Sequence, residues 1–437
     1  MKYGILGGGL TGVTLGRMLS ESGHDVVVLE KEKRIGGLCK SLVSDGYTFD
    51  EGGSHIIFSR DTEVLNFMKS VLNNNRAERT RNTCVLYKGI KIKYPFENGL
   101  YNLPKEDLFF CLYEYIKTLI AEEKGEIPPP KTFRDWIYKT FGKGIADSYL
   151  IPYNEKIWNF PTEQMSAHWM EGRVPRPPME DIIRSAIGIE TEGYTHQSSF
   201  SYPIHGGIEA LITAIALPIK DNIKTNCSVC TLKKNEDGWI IQSQEETISV
   251  DHIISTIPLQ YLLPCLSNIP TTVQEACREL HYNSLISVCI GFKGEVPPIS
   301  WMYIPDNDTG LFNRISFPSN YSTAVSPTGH SSLLAEITYN EGDTTSALTD
   351  KEIIAHCISK IISIGLIPDK KSINHSSVHK SKYAYVVYDI NYKKNVGVVR
   401  NYLQNLGINL VGRFSEFEYL NMDGCIRSAM RFVETID

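Results

Sequence analysis

Residues 2–12 read KYGILGGGLTG, a short apolar run followed by three glycines at the spacing GxGxxG. Residues 13–22 carry apolar side chains at helical spacing, and residues 25–29 (DVVVL) form a second apolar run that stops at Glu30. The nucleotide-binding unit of parallel α/β sheets consists of a buried strand, a glycine turn, a helix and a second strand. The second strand ends in an acid that can bind ribose hydroxyls. The sequence therefore predicts an α/β fold with a dinucleotide bound at this turn.

The three glycines have separate roles in such a turn. Gly7 permits the tight turn, Gly9 lets a pyrophosphate approach the backbone, and Gly12 packs the helix against the strand. Leu10 and Thr11 begin the helix, where free N–H groups and the positive end of the helix dipole attract phosphate. We expect all five residues to contact the cofactor.

The composition carries no signature of nucleic-acid binding or of a membrane span. The chain has 437 residues, 44 basic and 50 acidic side chains and a net charge of −6, so an anionic substrate would need a few placed arginines. No apolar run reaches the ~18 residues of a membrane span. The start of the sequence also lacks the layout of a signal peptide. We therefore expect a cytoplasmic protein without a transmembrane segment and without nucleic acid as a partner.

The ten cysteines do not form a metal-binding pattern. Cys227 and Cys230 have CxxC spacing, but neither a second pair nor histidines at matching spacing follow. We expect no metal site, and thiols that are mostly buried and reduced.

Two further glycine pairs follow the first motif. The segment RIGGLCKS (residues 34–41) comes just after Glu30, where an NAD domain would begin its next helix, and FDEGGSH (residues 49–55) follows. This combination resembles the FAD superfamily of amine oxidases, protoporphyrinogen oxidases, phytoene desaturases and UDP-galactopyranose mutases. The resemblance implies bound FAD, with Ser54 and His55 at the isoalloxazine. The contacts that it implies around the cofactor are Glu30, Lys31, Arg34, Gly36, Gly37, Leu38, Gly53, Ser54, His55 and Val229.

The resemblance also implies that inserted segments interrupt the FAD-binding domain. We expect a discontinuous, Rossmann-like FAD-binding domain made of residues 1–75, 196–260 and 396–437. We expect residues 76–195 to form a mostly helical insertion, and residues 261–395 to form a mixed β-sheet substrate domain.

Local patterns predict several elements within this layout. A short β piece is expected at residues 84–94, and helices at 107–120, 133–141 and 351–364. The predicted strands in the second half of the chain are 239–242, 249–254, 286–292, 331–339 and 408–411, and residues 252–258 (HIISTIP) are also predicted as a buried strand that the proline stops.

Residues 152–158, PYNEKIW, resemble a segment of the UDP-galactopyranose mutases in which a tyrosine and a tryptophan line the uridine and sugar site. Aromatic faces suit both a uracil ring and the apolar face of galactose. The resemblance implies substrate contacts at Tyr153, Asn154 and Trp158.

Two arginines in different insertions resemble those that hold the substrate diphosphate in the mutases. Arg173 stands in WMEGRVPR (residues 169–176), with Arg176 behind it, and Arg314 stands in FNRISFPSNYS (residues 312–322). A planar guanidinium can bind a phosphate through two parallel hydrogen bonds. By this resemblance the candidate catalytic residues are Arg173, Arg314 and His55.

Residues 412–423, GRFSEFEYLNMD, resemble the last motif of bacterial mutases, Gly-Arg followed by Tyr-x-Asp-Met-Asp. The resemblance implies that Arg413 reaches the FAD pyrophosphate, that Tyr419 reaches the substrate diphosphate, and that the next helix points at the flavin. Asn421 replaces the first acid of the motif, so the exact sugar is left open. The implied cofactor contacts are Gly412, Arg413, Tyr419, Asn421 and Met422, and the implied substrate contacts are Tyr385, Tyr419 and Asn421.

The resemblance implies an intramolecular transferase that interconverts the pyranose and furanose forms of UDP-galactose or a related nucleotide sugar. N5 of reduced FAD would attack the anomeric carbon as UDP leaves, which requires an external reductant such as NAD(P)H or another donor. An FAD-dependent oxidoreductase of the protoporphyrinogen oxidase or amine oxidase type would share the N-terminal motifs. A binding protein with structural FAD is a third hypothesis. The sequence is compatible with a homodimer but does not decide the oligomeric state.

Overall fold

The computed structural model describes residues 1–170, 176–191, 198–244 and 246–436. The chain forms parallel and antiparallel sheets together with packed helices, so the predicted α/β class is confirmed. The strands are β1 Lys2–Leu6, β2 Asp25–Leu29, β3 Ser41–Ser44, β4 Tyr47–Asp50, β5 Ala77–Thr80, β6 Thr83–Tyr87, β7 Ile90–Lys93, β8 Ser199–Tyr202, β9 Ile223–Lys224, β10 Val229–Asn235, β11 Gly238–Ser243, β12 Thr247–Val250, β13 His252–Ser255, β14 Tyr282–Lys293, β15 Trp301–Tyr303, β16 Arg314–Ser316, β17 His330–Tyr339, β18 Ile373–Val386 and β19 Ile408–Leu410. The α-helices are α1 Leu10–Glu21, α2 Thr62–Leu72, α3 Lys105–Glu123, α4 Phe133–Ile145, α5 Ile151–Trp158, α6 Met179–Ala186, α7 Glu209–Ala216, α8 Leu259–Leu262, α9 Thr271–Arg278, α10 Asp350–Ser363, α11 Tyr392–Leu406 and α12 Met422–Glu434.

A five-stranded parallel sheet lies at the centre of the nucleotide-binding part, in the order β19-β13-β1-β2-β9. Its strands come from three stretches of chain that are far apart in sequence. On one face α1 packs against α7 and α12. On the other face lies the antiparallel sheet β10-β11-β12, which approaches so closely that a Cβ on Gly4 would stand 2.6 Å from Ile241 Cδ1. The parallel sheet is thus covered on both faces, as buried parallel strands require.

The second large sheet has seven strands in the order β18-β14-β17-β16-β15-β6-β7. One face packs apolar side chains such as Ile286 and Ile290 against Ile353 and Ile361 of α10. The opposite face meets the β3–β4 hairpin through Phe49, Cys289 and Leu334. The seven-stranded sheet therefore lies directly against the nucleotide-binding part.

Helices α3 to α6 form a third core with the turn after β7. Their buried side chains include Tyr115, Phe133, Ile137, Phe141 and Trp158. The capping box of Thr132 and Asp135 starts α4, because each side chain bonds to the other residue's backbone N–H.

Two details differ from the elements predicted from sequence. The strand predicted at 249–254 is divided between two sheets, because the chain turns at Asp251, whose carboxylate accepts a hydrogen bond from Lys2 N at 2.7 Å. The buried strand predicted at 252–258 is present as β13, which ends at Ser255. The β piece predicted at 84–94 is the hairpin β6–β7, and it joins the seven-stranded sheet through the parallel pair β6–β15. Residues 76–195, which were predicted to be a mostly helical insertion, therefore also contribute β6 and β7 to the sheet formed mainly by residues 282–386.

Candidate active site

The GxGxxG turn of residues 7–12 and the glycine pair Gly36 and Gly37 face each other across a narrow groove. Gly36 N donates to Gly8 O at 2.8 Å, which pairs the two turns. A Cβ built on Gly9 would have Gly37 Cα, at 3.9 Å, as its nearest atom, whereas a Cβ on Gly12 would lie 1.9 Å from Gly7 O. Gly12 is thus needed for packing, and Gly9 keeps the groove open for a group that approaches the backbone.

The groove ends at the N-terminus of α1. This helix has Gly9 as its N-cap, no capping side chain and no acidic residue in its first turn, which contains Leu10 and Thr11. The free N–H groups and the positive end of the dipole are therefore available to an anion. Thr11 also packs against Gly412, whose added Cβ would meet Thr11 Oγ1 at 2.5 Å, so the C-terminal motif closes the same groove.

Glu30 lies at the far end of the groove and is 8% exposed. Its carboxylate accepts hydrogen bonds from Gly8 N at 2.8 Å and Glu32 N at 2.9 Å. Each oxygen keeps further acceptor capacity, which suits the hydroxyls of a ribose. The segment that leads to Val229 runs beside it, because Cys227 N donates to Glu30 O at 2.8 Å. Lys31 lies apart, with its ammonium 4.3 Å from the ring centre of Tyr261.

Arg34 is engaged by protein groups. Its guanidinium pairs with Glu51 at 2.5 Å and with Glu209 at 2.9 Å, and it donates to Ser41 O at 3.1 Å. These bonds tie the β3–β4 hairpin to α7. The contact of Arg34 with the cofactor stays a prediction.

The glycine pair Gly52 and Gly53 forms a loop that other parts of the chain hold in place. A Cβ on Gly52 would stand 2.2 Å from Leu38 O, and Gly53 has φ of 93°. Only glycine fits the first position, and glycine is strongly favoured at the second. Ser54 N donates to Glu336 Oε1 at 3.0 Å, and Ser54 Oγ lies 3.0 Å from the Tyr321 hydroxyl.

His55 follows this loop and is neutral in the folded protein. Its Nδ1–H donates to Gly53 O at 2.8 Å, which leaves Nε2 as an acceptor. Burial lowers the pKa of His55 to about 4, and the nearby charges of Arg314 and Arg413 contribute to the decrease. The backbone of His55 is positioned by Asp50, whose Oδ2 accepts its N–H at 3.4 Å.

Arg314 is held beside this histidine by a buried carboxylate. Tyr303, Arg314 and Glu336 are direct cross-strand neighbours on β15, β16 and β17, so their side chains share one face of the sheet. Arg314 Nε and Nη2 donate to Glu336 at 3.0 and 2.7 Å, and Nη2 also reaches Ser54 O at 3.3 Å. The two N–H groups on Nη1 have no protein partner in the described part of the chain. Burial alone would lower the pKa of Arg314, but Glu336 raises it well above the ordinary value.

Four aromatic residues predicted as substrate contacts lie together near Arg314. The ring centre of Trp158 is 5.9 Å from Tyr385 and 5.3 Å from Tyr419, and Tyr385 is 5.8 Å from Tyr419. Tyr153 joins the group through Tyr303, at 5.2 Å. Burial raises the pKa of Tyr153 and of Tyr385, so both phenols are protonated.

Asn154 has a different environment from the one expected. Its amide donates to Leu150 O at 2.7 Å, and its carbonyl accepts from Trp158 Nε1 at 3.1 Å. Both ends of the side chain are therefore engaged, by α5 itself and by Leu150 just before it. Asn154 orients Trp158, and its own contact with a substrate stays a prediction.

Arg413 is the second guanidinium near His55. Its charge centre lies 5.0 Å from the ring of Tyr385 and 4.9 Å from the ring of Tyr419. Nε and Nη2 are buried, and neither has a hydrogen-bond partner among the described residues. Buried unpaired N–H groups on a cation are costly, so this geometry fits a bound anion.

Helix α12 begins next to Arg413. Asn421 is its N-cap without a side-chain capping bond, and Met422 is its first residue. Asp423 in the first turn accepts the Gly424 N–H at 2.9 Å, so the N–H groups of Met422 and Asp423 are the ones that this helix start can offer to the flavin edge, as the resemblance implies.

Two predicted diphosphate arginines lack a described contact with the site. Arg173 falls within residues 171–175, outside the described residues. Arg176 is described, and it pairs with Glu122 of α3 at 2.5 Å.

Comparison with known proteins decides the family. The model of the flavin containing amine oxidoreductase family matches residues 10–436. The chain belongs to this family. The expected cofactor is confirmed: as a member of this family the chain binds FAD, and the open glycine groove, the uncapped α1 and the unpaired N–H groups of Arg413 fit that group.

The chain is similar to the following three proteins, among others. A solved structure of reduced UDP-galactopyranose mutase is 26% identical, has a TM-score of 0.90 and covers 100% of this chain and 95% of its own. A putative protoporphyrinogen oxidase from Exiguobacterium sp. 255-15 is 16% identical, has a TM-score of 0.77 and covers 100% and 98%, which shows the shared fold. The dTDP-fucopyranose mutase of Escherichia coli is 24% identical over 208 residues, which is 44% of this chain and 52% of that protein. The match thus spans about half of the length of this curated relative.

Several residues at the site of this flavoprotein were missed by sequence reasoning. Glu336 and Tyr303 flank Arg314, and Tyr321 bonds Ser54. Asp50 is buried, accepts bonds from Ser41, Tyr202 and Ile208, and has a pKa that burial raises to about 6. The sequence does contain a signal for Glu336, because it is a charged residue inside the apolar run LLAEIT (residues 333–338).

Two kinds of feature are absent from the described ranges of the chain. No helix there is long and apolar enough to cross a membrane. No group of three or more His, Cys, Asp or Glu side chains in that part could hold a metal ion.

Proposed function

We propose that this chain is a nucleotide-sugar mutase that works with reduced FAD and interconverts pyranose and furanose forms of UDP-galactose or a related sugar. One observation carries the proposal. Glu336 holds Nε and Nη2 of Arg314, Nη1 has no partner among the described residues, and burial together with the charge of Arg314 lowers the pKa of the nearby His55. A guanidinium oriented in this way suits the diphosphate of a nucleotide sugar.

The energetics support an anionic ligand. Burying Arg314 is costly, and the buried carboxylate of Glu336, 1% exposed, offsets that cost while fixing the orientation of the guanidinium. A site for an apolar or amine substrate needs no such arginine. We propose that Arg173 holds the other side of the diphosphate.

The aromatic residues support a nucleoside and a sugar as the remaining parts of the substrate. Tyr153, Trp158, Tyr385 and Tyr419 present ring faces and edges within one group. Such faces pack against a uracil ring or against the apolar side of a galactose ring. Protonated phenols can also donate hydrogen bonds to phosphate oxygens.

The protein and the cofactor have separate tasks in this reaction. When bound and reduced by an external donor, FAD supplies a nucleophilic N5 for the anomeric carbon. Arg314 stabilises the charge that develops on the departing UDP. Neutral His55 donates through Nδ1 to Gly53 O and keeps Nε2 as an acceptor, so it can bind a hydroxyl without adding a positive charge.

A turnover experiment tests the proposal. Dithionite-reduced protein is mixed with UDP-galactopyranose and, separately, with UDP-galactofuranose, and both nucleotide sugars are followed by chromatography. We expect interconversion with reduced protein and none with oxidised protein. No interconversion of UDP- or dTDP-sugars by the reduced, FAD-loaded protein would overturn the proposal.

The second candidate function is an FAD-dependent oxidation, which the family membership itself favours. An oxidoreductase would remove an electron pair from its substrate and pass it to the flavin. Anaerobic bleaching of the oxidised flavin by an amine or a porphyrinogen, with no binding of UDP, would select this alternative.

A further inference from the structure

Lys156 lies in helix α5, and its ammonium reaches a neighbouring hairpin. Nζ donates to Asp306 O at 2.8 Å and to Gly310 O at 2.7 Å. Both carbonyls belong to the turn between β15 and β16, and we call residues 306–310 the hairpin tip. The side chain thus joins α5 to the β15–β16 hairpin.

The backbone of Lys156 makes a second connection to the same hairpin. Thr338 Oγ1 donates to Lys156 O at 2.7 Å, and Asn313 Nδ2 donates to the same Oγ1 at 3.3 Å. Asn313 and Thr338 are both buried. Because Asn313 directly precedes Arg314, both connections end close to the residue that carries the guanidinium of the site.

These connections lie where they can set the position of Arg314. Tyr303 and Arg314 form the last cross-strand pair of the hairpin before the tip. On α5, Lys156 stands between Tyr153 and Trp158, two of the aromatic residues of the candidate site. A movement of the hairpin tip relative to α5 would therefore change the distance between the guanidinium and the aromatic rings.

The energetic setting of Lys156 indicates that it contributes position rather than stability. Burial lowers the pKa of Lys156 to about 7, and the nearby Asp306 acts in the opposite direction. In the described part of the chain the ammonium has two carbonyls as partners and no ion-paired carboxylate. A cation withdrawn from water without a counter-ion costs free energy that hydrogen bonds to carbonyls offset only in part. The lysine is therefore explained by what it holds in place.

The hairpin tip has another anchor in helix α10. Lys360 Nζ donates to Asp308 O at 2.6 Å, and Leu311 N donates to His356 Nε2 at 3.1 Å. These bonds fasten the tip and the residue after it to α10. Lys360 thus provides a matched control, because it is a second lysine that binds a carbonyl of the tip but makes no hydrogen bond to α5.

We propose that Lys156 is a positioning residue of the substrate site, which fixes the spacing between Arg314 and the aromatic residues of α5. A nucleotide sugar meets both at once, since the aromatic rings pack against its nucleoside or sugar and the guanidinium binds its diphosphate. A ligand that bridges two elements binds and reacts best when their spacing is set in advance. This role of Lys156 rests on the proposed function and names the residue that sets the geometry of the same site.

Steady-state kinetics of the reduced, FAD-loaded protein with UDP-galactofuranose test the proposal. Lys156→Met has a similar shape but no N–H donors, and its kcat/KM should fall by at least about tenfold. Lys156→Arg keeps a cation with several donors and should recover most of the loss. The control Lys360→Met should keep kcat/KM close to the wild-type value.

Stability distinguishes a positioning role from a structural one. Lys156→Met should keep its flavin absorbance, and its free energy of unfolding should equal or exceed that of the wild type, because the variant buries no ammonium. A less stable Lys156→Met protein with unchanged kcat/KM would overturn the proposal. An equal loss of kcat/KM in Lys360→Met would do the same, since any loosening of the tip would then be sufficient.

A double-mutant cycle tests whether Lys156 acts through Arg314. In the Arg314→Lys background, Lys156→Met should lower kcat/KM by less than about threefold, because the group that it positions has been removed. Thr338→Val removes the second connection and should lower kcat/KM of the otherwise wild-type chain. Fully additive effects would overturn the proposal. An active wild type with an unaffected Lys156→Met variant would refute the positioning role alone, whereas an inactive wild type would overturn the proposed function and this role with it.

Discussion

Replacing Glu336 by glutamine tests how the site holds Arg314. The Glu336 carboxylate accepts three hydrogen bonds, from Ser54 N at 3.0 Å and from Arg314 Nε and Nη2 at 3.0 and 2.7 Å. Glutamine keeps one acceptor oxygen, but its amide N–H groups face the guanidinium. The variant Glu336→Gln therefore loses the counter-charge of a buried cation and at least one charge-assisted hydrogen bond.

The structure gives an approximate size for this loss. A hydrogen bond to a charged group contributes about 1.5–3 kcal/mol, and removing one partner of a buried ion pair costs about 3–5 kcal/mol. The side chain of Arg314 is 22% exposed, so solvent screens part of the change. We expect the free energy of unfolding to fall by about 3 kcal/mol, at the low end of the range for a buried ion pair.

Two assays measure the effect of Glu336→Gln. Urea unfolding followed by circular dichroism gives the stability, and titration of the dithionite-reduced protein with UDP gives the affinity, which should weaken at least about tenfold. Glu341→Gln is the matched control, because Glu341 is 79% exposed and forms a surface pair with Lys382 at 3.2 Å. If both variants had the same stability and the same UDP affinity as the wild type, the role given to Glu336 would be wrong.

Three further predictions concern cofactor binding, the role of Arg314 in catalysis and the pH dependence of stability. Gly9→Val should fold but lack flavin absorbance, since the nearest atom to an added Cβ is 3.9 Å away and only the cofactor groove is filled; a yellow Gly9→Val protein would contradict this. Arg314→Ala should lower kcat more than it raises KM for the sugar interconversion, and an effect on KM alone would refute a role in the transition state. The wild type should lose stability relative to His55→Gln as pH falls from 6.5 towards 4, because His55 has a folded pKa of about 4 and the unfolded chain takes up the proton first. Parallel pH profiles of unfolding free energy would disprove it.

Local sequence patterns predicted much of the fold. The order β1–α1–β2 follows from the apolar runs and the glycine turn, and α10, predicted at 351–364, spans Asp350–Ser363 behind a capping box. The strand predicted at 249–254 was wrong in extent, because its apolar run continues across the turn at Asp251. Periodicity cannot show that a chain changes sheets when both halves are equally apolar.

The site was predictable only where a motif is contiguous. The glycine loops, Arg314 and the aromatic residues were predicted because each lies in a recognisable segment, and the structure brings Trp158, Tyr385 and Tyr419 together. Glu336 and Tyr303 were missed because their role depends on cross-strand register with Arg314. Such register between distant strands is a tertiary property that local spacing does not encode.

The distance in sequence between the parts of the FAD site affects how the protein is made. Gly12 and Thr11 are packed by Gly7 and Gly412, and α1 lies against α12, which ends at Glu434. At about 5–20 residues per second, the ribosome releases α12 roughly 20–80 s after the glycine turn. During that interval the nascent chain exposes an unfinished sheet whose outer strands have not been synthesised. The complete groove for FAD therefore exists only after α12 has left the ribosome.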